Sequence, residues 1–131
     1  MFGCRADGSD EGRERRRLHV LGDSFSSVVV RWALDGATAD AILGTEPGGS
    51  GRIVLGSLRP TDEQCRRLGL IIDIDILGRR LRRLSDPRAW VRSHCGPLGR
   101  APLDEMLTGT AGLMSVRSHL LEELRRRERR G

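Results

Sequence analysis

At 131 residues the chain has the length of one ordinary domain, and with two Trp, two Phe and no Tyr its core has to be aliphatic. All 23 basic residues are arginine, which is most simply a GC-rich codon bias, so the net charge of +5 is by itself weak evidence for nucleic acid. Three scattered cysteines, Cys4, Cys65 and Cys95, argue against a disulfide framework or paired zinc ligands and for reduced thiols in a bacterial cytoplasm.

No apolar run approaches the ~20 residues of a membrane span, and charges continue through Arg17 without an apolar stretch, so neither a span nor a secretory signal is expected. A cytoplasmic protein is the expectation. The charge is uneven: residues 1–27 balance at 0 and 28–58 come to −1, whereas 59–93 carry +4 and 94–131 carry +2. Any anion-binding surface therefore belongs to the second half.

Residues 1–23 mix Gly, Ser, Asp, Glu and Arg with few apolar groups, and are expected to be a disordered tail. Ser24 or Ser26 is the expected cap of a helix through Val28, Val29, Val30, Trp32 and Leu34, although the β-branched run also suits a strand. Thr38 then caps a short helix over Ala41, Ile42 and Leu43, stopped by Gly44. Residues 48–51, Gly-Gly-Ser-Gly, form a poor helix, and 52–55 suit either a helical turn or an extended piece.

Pro60-Thr61-Asp62-Glu63-Gln64 is a strong helix start, with Thr61 and Gln64 at capping-box spacing and acids at the positive end of the dipole. Leu70, Ile74, Leu77, Leu81 and Leu84 alternate in steps of four and three, with Leu68, Ile72 and Ile76 widening the buried stripe. The period-two run over 72–76 is the competing strand pattern, but it is much shorter than the heptad-like face. Ser85-Asp86-Pro87 restarts a helix with Trp90 and Val91, closed by Gly96. Pro102 begins a short helix ended by Gly109, and Thr110 starts the last one, with Leu113, Val116, Leu120 and Leu124 aligned. The fold class is all-α.

Chemistry finds little footing. Cys65, His94, Cys95 and His119 match no zinc spacing, and neither a catalytic residue, a metal nor a cofactor is expected. Asp73 and Asp75 lie two apart, diverge on a helix, and are read as solvated or paired with arginines. The glycine-rich run 44–51 lacks the lysine and the preceding strand of a phosphate-binding loop. The closing Arg125–Arg130 run is read as a frayed, solvated end, with an acidic partner or a phosphate backbone as the alternative.

One ordered set of motifs stands out. It runs from Pro60-Thr61-Asp62-Glu63-Gln64 through the long arginine-leucine helix and Ala89-Trp90-Val91-Arg92 to Pro97-Leu98-Gly99-Arg100. Pro102-Leu103-Asp104-Glu105-Met106-Leu107 and the amphipathic last helix follow. This order resembles the Xre/MbcA/ParS family of bacterial antitoxins, in which a tryptophan helix leads into a leucine-glycine-glycine-arginine turn, a proline-leucine helix and a final helix. The resemblance covers residues 59–130. Two features depart from it: the turn has one glycine before Arg100 rather than two, and the family's recognition helix falls on Gly49 and Ser50 of residues 45–56.

The resemblance implies a degenerate helix-turn-helix-like region over 24–58 and a helical toxin-binding domain over 59–131. It implies an antitoxin of a type II pair that neutralises a RES-type, NAD-consuming toxin by binding. Trp90, Leu98, Pro102, Leu103 and Met106 are expected to be internal packing, and the toxin-facing groups to be the exposed Arg100, Arg117, His119 and Arg125. Arg52 and Arg59 are the expected DNA contacts, weak because the glycines remove readout side chains. A homodimer is expected. A stand-alone helix-turn-helix transcriptional regulator is the alternative, and an unrelated helical interaction protein a third reading.

Overall fold

The computed structural model describes residues 2–130, with side chains from residue 10 onward. It is helical throughout, as the sequence predicts: α1 (Phe2–Arg31), α2 (Gly36–Leu43), α3 (Gly49–Leu55), α4 (Asp62–Leu81), α5 (Pro87–Arg92), α6 (Pro102–Met106) and α7 (Thr110–Arg130). A 3-10 turn, Gly96–Leu98, lies between α5 and α6.

The expected tail over 1–23 is not a tail. Residues 2–31 form one helix, with no break or cap at Ser24 or Ser26. Met1 and the side chains of 2–9 lie outside the described residues, so the physical reason is found in 10–31. Leu18, Leu21, Phe25, Val28 and Trp32 recur in steps of three and four, which is one helical stripe. Phe25, Val28 and Trp32 are fully buried and Leu21 packs against them. Gly22 lies so close to α3 that a Cβ there would touch the Val54 backbone at 3.4 Å. The helix ends at Ala33, whose φ of 52° is left-handed. Leu34 and Ala33 donate their N–H groups back to the Val29 and Val30 carbonyls, satisfying the orphan acceptors of the last turn.

The cap expected at Thr38 also differs. Asp35, not Thr38, caps α2, its carboxylate accepting the Thr38 N–H at 2.8 Å. Gly44 closes α2 as expected, with φ 79°. After the turn 44–48 the glycine-rich run becomes the start of α3, with Gly49, Ser50 and Ile53 buried. Asp40 makes this possible. Its carboxylate accepts from the Gly48 N–H at 2.9 Å, and from the N–H and hydroxyl of Ser50 at 3.0 and 2.5 Å. It thereby supplies the cap that Gly48 lacks.

The capping box at α4 is present in full, Gln64 N–H donating to Thr61 and Thr61 N–H to the Gln64 side chain. The Gln64 amide reaches further and donates to the Gly44 carbonyl at 3.0 Å, fixing the start of α4 against the end of α2. Leu68, Leu70, Ile71, Ile74 and Leu81 are buried, and Leu77 is half-buried against them. The predicted stripe is too wide. Ile76 is half exposed and Leu84, three residues beyond the end of α4, is wholly exposed. Helices α4 and α7 run in the same direction: Glu63 meets Thr110, Asp73 meets Arg117 and Arg82 meets Glu123.

One core cluster runs continuously from Phe25 to Leu120. The expected boundary at 58/59 is therefore not a division of the core. At the edge of this core Asp75 is buried, 2% exposed. Arg31 donates to it from Nε at 3.1 Å and from a terminal nitrogen at 2.5 Å, and Arg79 Nε donates at 3.1 Å. Asp73 points outward to Arg117, so the two acids diverge as their spacing predicts. Asp75→Ala removes three charge-assisted bonds and is expected to cost about 2–3 kcal/mol. Arg79→Gln, at a half-exposed side chain, is expected to cost less than about 1 kcal/mol. Urea unfolding midpoints at unchanged m-value measure both, and equal losses would show that Arg31 does not dominate the clamp.

Candidate partner-binding surface

Helices α5 to α7 and the turns between them build the surface. Asp86 caps α5 by accepting the Arg88 N–H, and Pro87 sits at the first helical position. Trp90 then lies across Gly78 of α4, where an added Cβ would stand 3.0 Å from the indole ring. Arg92 donates from α5 to the carbonyls of Trp32 and Ala33 at 2.7 and 3.0 Å, so α5 also closes the end of α1. The segment 95–100 folds back on itself: Cys95 N–H donates to the Arg100 carbonyl, and Gly99 takes the left-handed φ of 75°. Pro102, Leu103 and Met106 are buried, with Trp90 and Leu98 partly so. All five are internal packing groups, as expected.

Of the four expected toxin-facing residues, Arg100 is exposed, and Arg125 is exposed beside Glu122. Arg117 is 40% exposed and pairs with Asp73 at 3.3 Å. His119 is the exception: its side chain is only 14% exposed, and it turns inward. The periodicity of α7 explains this, because 119 falls one residue from the buried Leu120 and three from the buried Val116. The structure does not bring the four together. Arg117 lies on the flank of α7 that meets Glu63 and Asp73, while His119 lies on the flank that meets Cys95, beside Arg100.

The His119 flank holds a polar cluster that sequence spacing does not reveal. Cys95 Sγ is 3.5 Å from His119 Nε2, and Glu123 is 3.9 Å from the same nitrogen. A thiol-imidazole-carboxylate relay needs the acid on the other ring nitrogen, orienting the base. Here thiol and acid share one nitrogen, and Glu123 is already engaged by both arms of Arg82, one at 2.9 Å, and by Arg127 at 3.5 Å. The cluster is a structural clamp between α4 and α7, bordering a cavity of about 190 Å³ with Trp90 and Leu98 in its wall. Hydrogen bonding from Arg82, above all, holds the Glu123 carboxyl below its ordinary range. Cys65 lies apart from this cluster, its thiol pushed up by burial. Among the described residues no three His, Cys, Asp or Glu side chains are grouped to hold a metal.

The two expected DNA contacts stand in poor surroundings for a phosphate. Arg52 is exposed on α3, but the amino end of that helix is filled by the Asp40 carboxylate. Arg59 is exposed and borders a groove of about 500 Å³ whose lining from α1 carries Glu11 and Glu14 beside Arg15 and His19. Among the described residues no helix is long and apolar enough to cross a membrane. Comparison with protein-family models, with characterised proteins and with solved structures finds no match to any of them.

The packing of α6 on α7 leaves no room at Gly112: an added Cβ would overlap the Glu105 carbonyl oxygen and Thr108 Oγ1. Ala for Gly in a helix ordinarily gains up to about 1 kcal/mol, but here the clash is with backbone. Gly112→Ala is expected to destabilise by about 2–3 kcal/mol by overpacking, and a rise in melting temperature would contradict the α6–α7 approach. For Glu123, the lowered folded pKa means that its contribution is present above its ordinary 4.5 and is lost as pH falls through the folded value. Stability of the native chain should exceed that of Glu123→Gln at neutral pH, and the gap should close below 4.5. A gap independent of pH would mean that the ion pair is not its source.

Proposed function

We propose that the chain is the antitoxin of a type II toxin–antitoxin pair, acting in the cytoplasm by binding and neutralising a RES-type, NAD-consuming toxin. The observation that carries this reading is the order of elements over 59–130. A capping-box start, a long arginine-leucine helix, a tryptophan helix, a Leu98-Gly99-Arg100 turn, a proline helix and an amphipathic last helix follow one another as separate elements. In this reading α2, the turn 44–48 and α3 are the helix-turn-helix-like part, and a second copy of the chain is the expected partner in a homodimer. DNA contact for autoregulation is weak, because Asp40 occupies the start of α3 and Gly49 and Ser50 face the core. The same features weigh against the stand-alone transcriptional regulator.

The toxin-facing groups proposed are Arg100, Arg117 and Arg125, each able to make charge-assisted and bidentate bonds to carboxylates of a cleft. Because α1 shares the core with α4 and α7, the full chain is the material to test. Co-expression with a RES-type toxin should restore growth. The Arg100→Glu/Arg117→Glu/Arg125→Glu variant, helical by circular dichroism, should bind the toxin at least about tenfold more weakly and lose most of the rescue. Full rescue by the folded variant would exclude these arginines. No rescue by the native chain would count against the antitoxin reading for that toxin.

A further inference from the structure

The end of α4 lies against α7 at Glu123, and α7 continues beyond it to Arg130. Arg82, which caps the end of α4, is bound to Glu123, and Leu124 packs on the same core. Around this junction the segments 80–84 and 122–130 hold eight arginines against three glutamates, a charge of +5, which is the net charge of the whole chain. The rest of the molecule is therefore neutral in sum, and its excess charge sits at one end. The charge is also arranged. Arg80 and Arg83 are one turn apart along and just beyond α4, and Arg126 and Arg130 one turn apart on α7. They border two adjoining open grooves, of about 690 and 430 Å³, that share Arg82 and Arg127.

Helix dipoles alone do not account for this. One or two cations in each last turn suffice to complement a carboxyl-terminal dipole. Ion pairing does not account for it either. Glu123 takes Arg82 and Arg127, and Glu122 takes Arg125 and Arg129. Arg80, Arg83, Arg126 and Arg130 are exposed and pair with no carboxylate among the described residues. Four guanidinium groups thus face outward with their donors directed to solvent.

We infer that the end of α4 and the last turns of α7 form a binding surface for the phosphate backbone of duplex nucleic acid, without reading its sequence. Guanidinium groups match phosphate oxygens bidentately, and a duplex presents a charge every ~1.7 Å of its axis, so several separated arginines are satisfied at once. A lipid surface or a protein partner would be met by contiguous apolar area. The patch instead holds a single exposed apolar side chain, Leu84. The assignment is independent of the antitoxin reading, since it needs no toxin and lies away from Arg52 and Arg59.

The test is fluorescence anisotropy of the full chain with a labelled duplex of scrambled sequence, between about 50 and 200 mM salt, where phosphate contacts dominate the response. The variant Arg80→Gln/Arg83→Gln/Arg126→Gln removes three charges at exposed positions, and circular dichroism checks its fold. Its slope of log affinity against log salt should be smaller by about 2–3, at roughly 0.9 per phosphate contact, with binding at low salt weakened about tenfold or more. Arg52→Gln/Arg59→Gln should leave the slope unchanged. An unchanged slope in the triple variant, loss in the Arg52/Arg59 variant instead, or no duplex binding by the native chain at low salt would each overturn the assignment. So would binding to phosphatidylserine vesicles with none to the duplex, which would make the patch a lipid contact.

Discussion

A carboxylate enclosed in an aliphatic core has to be compensated, because an isolated buried charge costs far more than a small domain's whole stability. Asp75 is such a group, and its compensation determines how this molecule is assembled. Arg31 can reach Asp75 only if α1 ends beside the middle of α4. That placement puts Trp32 and Phe25 into the core and brings the last carbonyls of α1 within reach of Arg92 on α5. α5 so placed lays Trp90 over Gly78, one turn along α4 from Asp75. The distant α1 is thus tied to α4 and α5 within a single turn of α4. Buried ion pairs are weak evidence for stability in themselves; here the pair selects a geometry, since an apolar residue at 75 would accept many positions of α1.

What the sequence made legible followed from local rules. The capping box at Thr61, the stop at Gly44 and the proline starts of α5 and α6 depend on residues a few positions apart, and they lie where those rules put them. Composition misled at α1. The first half of that helix is dominated by charge and glycine, and averaged over a window it looks unable to fold; yet Leu18 and Leu21 continue the stripe of Phe25, Val28 and Trp32. The spacing of the few apolar residues carried more information there than their number. At α2 both Asp35 and Thr38 are cap-forming types three residues apart, and it is the Asp35 carboxylate that accepts the Thr38 N–H.

The site was less legible than the fold, for a related reason. Exposure of a polar residue on a helix depends on how wide the buried face is, which depends on neighbours that no local pattern specifies. His119 looks like a surface residue until α5 and the 95–100 turn are packed against its flank, with Cys95 3.5 Å away. The Asp40 network is similarly invisible, since its partners lie eight and ten residues on, across a turn. It explains how a helix begins at Gly49 despite poor propensity: the carboxylate satisfies the orphan N–H groups, and hydrogen bonding from Ser50 holds its pKa below the ordinary value. An acid in that position also makes the start of α3 an unwelcoming place for a phosphate.

These two outcomes bear on how the molecule divides its surface. The start of α3, where a phosphate would approach a DNA reader, is occupied by the Asp40 carboxylate, and Gly49 and Ser50 there are buried. The arginines accumulate at the carboxyl end of α4, where it stops beside the last turns of α7. This follows from a physical asymmetry. The carboxyl ends of parallel helices concentrate negative dipole, so cations are tolerated there in numbers that the amino ends would not accept. Parallel packing of α4 and α7, fixed by the Glu63–Thr110, Asp73–Arg117 and Arg82–Glu123 contacts, therefore creates both the clamp around Glu123 and the basic end beyond it. The four arginines left over once the glutamates are occupied are the part of that charge that neither capping nor pairing explains.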